Sequence, residues 1–150
     1  MSYQKLIKQL ELEEGRRYNA YLCTAGHRTI GVGHNLDAKP DYLGSQIPSH
    51  ITDAEMDAIL LQDIIEVTEA LEKRCKGFNL LTGARRDAII QMAFQLGVNG
   101  LLGFKKMLDA LIKQDWRKAY DEALNSGWAK QTPARAQRVA KQLLTGVYYG

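Results

Sequence analysis

The sequence lacks the features that mark secreted, disulfide-rich and membrane-spanning proteins. It contains only two cysteines, Cys23 and Cys75, which are too few for a disulfide framework and indicate reduced thiols in a cytosolic place of synthesis. No stretch approaches the roughly 18 apolar residues that a membrane-spanning helix needs, so we expect no stable membrane insertion. The opening segment MSYQKLIKQLELEEG is amphipathic and charged, without the apolar core of a signal peptide. We therefore expect a chain made in the cytoplasm without an export signal.

A strong charge bias is also missing. The 20 basic and 17 acidic side chains leave a net charge of +3, which is too small to indicate a nucleic-acid partner. The basic excess is greatest after Glu122, where Lys130, Arg135, Arg138 and Lys141 meet no acid. This end is either a solvated helix face or a surface for an anionic partner such as a wall polymer. A helical nucleic-acid binder is the weaker alternative, and it would show strongly salt-dependent DNA affinity.

Hydrophobic spacing predicts a small mixed region at the start of the chain. A helical stripe indicates a helix over residues 3–14, ended by Gly15. Alternating and β-branched residues over 16–34 predict a small hairpin sheet. Residues 35–51 contain Pro40, Gly44 and Pro48 with few apolar residues, and we predict a loop there.

The remainder of the chain has helical spacing, without repeats or linkers. Thr52-x-x-Glu55 is a capping box that opens a helix of about twenty residues or more. Further helices are predicted before a stop at Gly97, over Leu101 to Ile112, over Trp116 to Leu124, and after Thr132-Pro133, an N-cap followed by proline. The length predicts one domain, 1–150, with lobes of approximately 1–75 and 76–150. The fold class is α+β and mostly helical, with a small N-terminal hairpin sheet and a helical C-terminal lobe.

Glu14 is the first candidate functional residue. At about 100° per residue it points roughly 30° from the centre of the first helix's apolar stripe, so it is aimed inward. Burial favours the protonated form of a carboxylic acid, and a protonated acid is what general acid catalysis needs. The alternative is a partly buried glutamate paired with Arg16 or Arg17.

The predicted hairpin brings Cys23, at its turn, and Thr29, on the returning strand, toward Glu14. An acid on one side and a pair that holds water on the other can cleave a glycosidic bond. Gly31 and Gly33 allow the backbone to pass close to a ligand, although Gly-Val-Gly is equally typical of a strand with a bulge.

His34 leaves two other kinds of chemistry open. Cys23, His27 and His34 could form a zinc site, but their spacing matches no familiar ligand pattern. Cys23 and His34 could form a peptidase dyad, but Cys23 precedes a turn and strand rather than opening a helix.

The spacing of Glu14, Cys23 and Thr29 within EEG…YLCTAGHRTIGVGH resembles the Glu–Asp/Cys–Thr triad of the phage lysozymes, or endolysins, of glycoside hydrolase family 24. Three further blocks are similar to that family: Gln62-Asp63, ARRDAIIQMAFQLG at 84–97 with GF at 103–104, and SGWAKQTPARAQRV at 126–139. The resemblance covers nearly the whole chain and implies a lysozyme-like fold of two lobes.

The resemblance also implies an activity: hydrolysis of the β-1,4 bond between N-acetylmuramic acid and N-acetylglucosamine in bacterial peptidoglycan, with no metal and no cofactor. It implies these roles for the residues of this chain: Glu14 as general acid, Cys23 and Thr29 on the water or nucleophile side, Phe94, Gln95 and Gly31 along the sugar cleft, Arg135 in contact with Glu14 from the other lobe, and His34 with Asp63 as a buried structural ion pair.

Cys23 stands where most relatives carry Asp. A thiol with an ordinary pKa is only slightly ionised at neutral pH, so Cys23 either accepts a proton from water or attacks the sugar itself. A lytic transglycosylase, which needs only the acid, stays open, as does a catalytically weak, tail-associated peptidoglycan-binding module. For the hydrolase we expect a monomer that waits in the host cytoplasm until a holin opens the membrane, and then lyses the wall from within.

Overall fold

The computed structural model describes residues 2–150, and the chain folds as seven α-helices with two small antiparallel sheets in that range. The elements of the first part are α1 Gln4–Glu14, β1 Arg17–Leu22, β2 Arg28–Gly31, β3 His34–Asn35, β4 Asp41–Tyr42, β5 Ser45–Gln46 and α2 Asp53–Arg74. After the short 3₁₀ helix Phe78–Leu80 come α3 Gly83–Leu102, α4 Lys105–Ile112, α5 Trp116–Leu124, α6 Gly127–Gln131 and α7 Pro133–Thr145. The α+β, mostly helical, lysozyme-like fold class is thereby confirmed.

The chain divides into two compact units, which we call unit 1, up to Ile65, and unit 2, from Glu66 onward. The boundary falls inside α2, whereas the sequence predicted it near residue 75, at the end of that helix. None of the helices within residues 2–150 has both the length and the apolar character that crossing a bilayer demands.

Unit 1 contains the predicted hairpin sheet, extended by one strand. The order is β1-β2-β3, with Tyr21 opposite Thr29 and Thr29 opposite Asn35. Antiparallel pairing of this kind places directly opposed side chains on the same face of the sheet. Buried apolar residues of unit 1 include Ile30, Val32, Leu36, Ile51 and Met56.

The prediction of a loop over residues 35–51 is wrong in part. β4 and β5 pair as a second hairpin inside it, with Asp41 opposite Gln46. Leu43 and Gly44 form its turn with φ of 51° and 77°, the positive values that tight hairpins require. Strands of two residues are too short to leave an alternating pattern in the sequence, so the hairpin was not foreseen.

The capping box at the start of α2 is confirmed. The Thr52 backbone N–H donates to Glu55 Oε1 at 3.0 Å, and the Glu55 N–H donates to Thr52 Oγ1 at 3.2 Å. These reciprocal bonds satisfy two N–H groups that the helix itself leaves without partners. The helix then continues for 22 residues, as its length was predicted.

Arg16 connects the end of α1 with the start of α2 within unit 1. Its guanidinium donates to Glu11 at 2.6 Å, to Asp53 at 2.7 Å and to Asp57 at 2.8 Å. Tyr18 donates its hydroxyl proton to the same Asp53 oxygen at 2.7 Å. We call these side chains the Arg16 cluster, and it holds the chain reversal that follows Glu14.

Of two predicted helix limits in unit 2, one is confirmed and one is wrong. Gly97 interrupts its helix as predicted: it leaves helical geometry, with φ 78° and ψ 157°, which glycine tolerates, and a short helical stretch, included here in α3, follows it up to Leu102. Leu101 belongs to that stretch, so the predicted start of the next helix is wrong, and α4 begins only at Lys105.

The region before α7 also differs from its prediction. Residues 127–131 form the short helix α6, which the sequence did not indicate. Thr132 occupies the N-cap position of α7 but makes no side-chain cap hydrogen bond; its hydroxyl donates to the Trp128 carbonyl at 3.1 Å. Pro133 stands at the start of α7, as predicted.

Candidate active site

Glu14 is the last residue of α1, and its side chain is half-buried. Gly15 ends the helix with φ 76°, and its N–H donates to the Glu11 carbonyl at 2.9 Å. On the other side of the carboxyl group runs the backbone of Gly33, in the turn between β2 and β3. A Cβ on Gly33 would lie 3.0 Å from Cδ and Oε1 of Glu14. The carboxyl group is thus placed by a helix end and by a strand turn of the same unit.

Cys23 and Thr29 meet at the end of the β1–β2 hairpin. The Cys23 N–H donates to the His27 carbonyl at 3.0 Å, and the Thr29 hydroxyl donates to the same carbonyl at 2.9 Å. The pKa of the Cys23 thiol is lowered, chiefly by a hydrogen bond from the His27 backbone and further by the Thr29 hydroxyl. Thr29 is buried, whereas Cys23 is partly exposed. The site therefore offers a reachable sulfur atom with an increased tendency to ionise.

Tyr21 lies beside these groups, and sequence reasoning did not single it out. Its Cα is opposite that of Thr29, and the Arg17 guanidinium stands 4.8 Å from its ring centroid. The pKa of Tyr21 is raised, first by burial; Arg17 opposes the rise, and the charges of Glu14 and Cys23 add to it. Glu14 and Cys23 are therefore both within electrostatic range of one side chain. The signal that could have revealed Tyr21 is the strand register, which the sequence alone does not give.

His34 and Asp63 form a pair within unit 1. Their Nδ1 and Oδ2 atoms are 2.7 Å apart, and His34 Nε2 lies 2.8 Å from the Lys39 carbonyl oxygen. Both ring nitrogens face acceptors, so both must carry protons for both bonds to form. Burial lowers the pKa of His34, but the hydrogen bond and charge of Asp63 outweigh it, and the net shift is upward. An imidazole engaged on both sides in this way does not suit the alternative of a Cys23–His34 dyad.

Gly31 is buried at the end of β2, and its backbone has φ 66°. A Cβ there would meet the side chains of Met56 at 3.4 Å and Ile51 at 3.6 Å. The closest approach on this side of Gly31 is thus to the apolar interior of unit 1. For the zinc alternative, no group of three or more His, Cys, Asp or Glu side chains within residues 2–150 is arranged to hold a metal ion.

Phe94 and Gln95 lie half-buried on α3 in unit 2. The Trp128 Nε1–H donates to Gln95 Oε1 at 2.9 Å, and Gln95 Nε2 donates to Thr132 Oγ1 at 3.4 Å. Gln95 therefore connects α3 with the segment that leads into α7, which fixes the orientation of its amide.

Unit 2 also carries an open groove with a volume of about 640 Å³. Phe104 and Trp128 line it, with ring centroids 6.1 Å apart in an edge-to-face arrangement. Met107 lines it as well, and one acid, Glu122, and two bases, Lys105 and Lys106, border the groove. The sequence did not indicate this groove, because α3, α4, α5 and α6 all contribute to it.

Arg135 is buried in the first turn of α7. Its Nε donates to Gln91 Oε1 at 3.2 Å, and the Tyr149 hydroxyl donates to the same oxygen at 3.1 Å. The structure thus connects Arg135 with α3 and with the C-terminal segment inside unit 2.

Comparison with known proteins adds a family to this geometry. The phage lysozyme family model matches residues 11–145. The chain is 31% identical to the pre-baseplate central spike protein of Enterobacteria phage T4 over 94% of this chain, which spans 28% of that protein. It is 32% identical to probable T4-type lysozyme 1 of Dictyostelium discoideum, over 91% of this chain and 92% of that protein. It is 35% identical to an endolysin of Acyrthosiphon pisum secondary endosymbiont phage 1, over 63% of this chain and 59% of that protein.

Proposed function

The chain belongs to the phage lysozyme family, and it is a glycoside hydrolase of the lysozyme type, which acts on peptidoglycan. We propose that it cleaves the β-1,4 bond between N-acetylmuramic acid and N-acetylglucosamine. The observation that carries the proposal is the match of the phage lysozyme family model to residues 11–145, which include Glu14 at the end of α1 and the bonded pair of Cys23 and Thr29 at the end of the β1–β2 hairpin. A carboxylic acid and a second ionisable group on either side of a small space are what glycosidic bond cleavage uses.

Glu14 acts as the general acid. It transfers its proton to the oxygen of the leaving sugar as the bond between that oxygen and the anomeric carbon breaks. Its place at the end of α1, half-buried against the Gly33 backbone, supports this role, because both neighbours limit the directions the carboxyl group can take.

Cys23 and Thr29 act on the water side. A water molecule attacks the anomeric carbon, and its proton passes to the Cys23 sulfur. The lowered pKa of Cys23 supports this route, since the thiolate is the form that accepts the proton. Thr29 is buried and bonded to the His27 carbonyl, so its hydroxyl is held in place to orient that water.

The remaining residues support binding and orientation. In unit 1 Gly31 contributes to sugar binding, and in unit 2 Phe94 and Gln95 do so. His34 with Asp63 holds β3 against α2 inside unit 1 and takes no part in proton transfer, because both ring nitrogens are already engaged.

In its biological setting the protein acts as a monomer on the bacterial wall, without a nucleic-acid partner, a metal or a cofactor. It accumulates in the host cytoplasm and reaches the periplasm after a holin opens the membrane, so that lysis ends phage growth. The similarity to an endolysin supports this setting.

A second candidate is a catalytically weak, tail-associated module that binds peptidoglycan. The similarity to the pre-baseplate central spike protein of phage T4 favours it. The same residues would serve either setting, so the chemistry is tested first.

The test is a mass spectrum of soluble fragments released from purified peptidoglycan by the wild-type protein and by Glu14→Gln. Glu13→Gln is the matched control, since it removes a neighbouring acid from the same helix turn. Fragments ending in reducing muramic acid, absent only with Glu14→Gln, are the expected result.

Other outcomes would replace the proposal. Products lighter by one water would identify a lytic transglycosylase, which uses the sugar's own hydroxyl in place of water. Free peptides with intact glycan would overturn glycosidase chemistry, and binding without any product would favour the tail-associated module.

A further inference from the structure

Gly33 differs from the other glycines of unit 1 in the atoms that surround it. Five glycines up to Ile65 have positive φ, a conformation that disfavours other residues: Gly15, Gly26, Gly31, Gly33 and Gly44. At Gly15, Gly26 and Gly44 an added Cβ would have no neighbour within 4 Å. At Gly33 its three nearest atoms would all belong to the side chain of Glu14, with Cδ and Oε1 at 3.0 Å and Cγ at 3.1 Å.

We propose that Gly33 is a positioning residue for Glu14: its missing side chain leaves the space that the carboxyl group occupies, and so sets where the acid's proton points. The inference rests on the proposed role of Glu14 as general acid. It assigns Gly33 a part in the reaction that does not require contact with the sugar.

The geometry indicates that a methyl group here would move the acid. Carbon atoms in comfortable contact stand about 3.5–4.0 Å apart, so a Cβ at 3.0 Å from Cδ is too close by about half an ångström. The groups it meets are the far end of a flexible side chain, which yields more easily than backbone or core. The displacement therefore falls on the carboxyl group itself.

A small displacement matters because proton transfer depends on distance. A general acid must lie within about 2.6–3.2 Å of the atom that receives its proton. Misplacement by about 1 Å can cost about a hundredfold in rate, so a shift of about half an ångström corresponds to roughly tenfold.

The experiment compares Gly33→Ala with Gly44→Ala, which imposes a similar backbone strain, φ 67° against φ 77°, on a turn with open space around it. For each variant, kcat and KM for fragment release from purified peptidoglycan are measured. Gly33→Ala should lower kcat about tenfold with KM unchanged, because orientation and not binding is altered. Gly44→Ala should retain the wild-type kcat. A Gly33→Ala kcat equal to that of Gly44→Ala would overturn the proposal.

A melting-temperature cycle keeps the inference separate from the proposed function. Gly33→Ala and Gly44→Ala are each combined with Glu14→Ala, which removes the group the methyl would meet. Gly33→Ala should lower Tm more than Gly44→Ala in the wild-type background and equally in the Glu14→Ala background. If Gly33→Ala still lowers Tm more than Gly44→Ala in the Glu14→Ala background, the contact with Glu14 is not the cause and the proposal is overturned. This comparison can be made even if Gly33→Ala alone does not fold. A wild-type protein that releases no fragments would refute the proposed function, and the Tm cycle would still decide the contact.

Discussion

The two units use polar side chains in different ways. In unit 1, Glu14 and Cys23 are only partly buried, and short strands and turns position them. In unit 2, Asp87 and Gln91 are buried within α3, where Tyr148 and Tyr149 of the C-terminal segment bond to them. The same classes of group can thus be left reachable or fully enclosed. We infer that unit 1 supplies the reacting groups and that the polar interior of unit 2 serves its own stability.

The largest expected effect on the cleavage rate comes from changing Glu14 of unit 1, and Asp87 of unit 2 is the acid to compare it with. Glu14→Gln should reduce the rate of peptidoglycan cleavage by about 10²–10⁴-fold with little change in Tm, because it removes only the transferable proton. Asp87→Asn should lower Tm and leave kcat unchanged, because it weakens the bond from Tyr148. The decrease in turbidity of a peptidoglycan suspension measures the cleavage rate of each variant, and thermal melts measure its Tm. Equal losses of kcat in the two variants would contradict the difference between the two units.

His34 is the exception within unit 1, since its bonds are structural. His34→Asn should lower the free energy of unfolding by about 3 kcal/mol near neutral pH, the cost of removing one partner of a buried pair. Because the folded-state pKa is raised above the ordinary 6.5, the contribution of the charged imidazole is complete below about pH 6.5 and is lost as pH rises through the folded pKa.

Urea denaturation from pH 5.5 to 10 measures that pH dependence. The difference between wild type and His34→Asn should shrink toward alkaline pH. His50→Asn, at an exposed histidine bonded to Asn19, is the control for a general effect of losing a histidine. A difference that grows with pH would show that the charged imidazole does not stabilise unit 1.

The two cysteines allow the same comparison between the units, with a smaller expected effect on kcat. Cys23→Ala should lower kcat by at least about tenfold, because the proton acceptor on the water side is lost, and Cys23→Asp should keep activity. Cys75→Ala should change Tm but not kcat, because Cys75 is buried, and burial raises the pKa of its thiol. Iodoacetamide should modify Cys23 first and inhibit the enzyme in step. A Cys23→Ala variant with wild-type kcat would make the thiol a bystander.

The smallest effect concerns surface charge. Arg16→Met should reduce the free energy of unfolding by about 1 kcal/mol, since its three partners are exposed or half-exposed and water screens each pair. Lys113→Met, which breaks one exposed pair with Asp109 in unit 2, should cost only about 0.3 kcal/mol. Denaturation at low and high salt tests both, and the Arg16 effect should shrink as salt increases.

The elements with a local chemical signal were predictable from the sequence. Thr52 and Glu55 predicted the start of α2, because a capping box is complete within four residues. The hydrophobic spacing also predicted the limits of α5, which runs from Trp116 to Leu124. The interruption at Gly97 was predictable as well, because a glycine after a periodic stretch is a common helix stop. The short helical stretch that follows it up to Leu102 was not, because the sequence indicated the start of the next helix there.

The sequence names candidate site residues, whose roles stay a prediction, but it does not give their geometry. Glu14, Cys23 and Thr29 carry a recognisable spacing, and the pairing of His34 with Asp63 followed from resemblance. Tyr21 and the approach of Gly33 to Glu14 depend on strand register and on the path of a turn, which are set by tertiary packing.

The Arg16 cluster has a consequence for how unit 1 opens. Helix ends normally fray independently, and their amide protons exchange with solvent at unrelated rates. Here one guanidinium joins the last turns of α1, through Glu11, to the first turns of α2, through Asp53 and Asp57. Loosening either end weakens the other, so the amide protons of both ends should exchange together, in a single opening event that added salt accelerates.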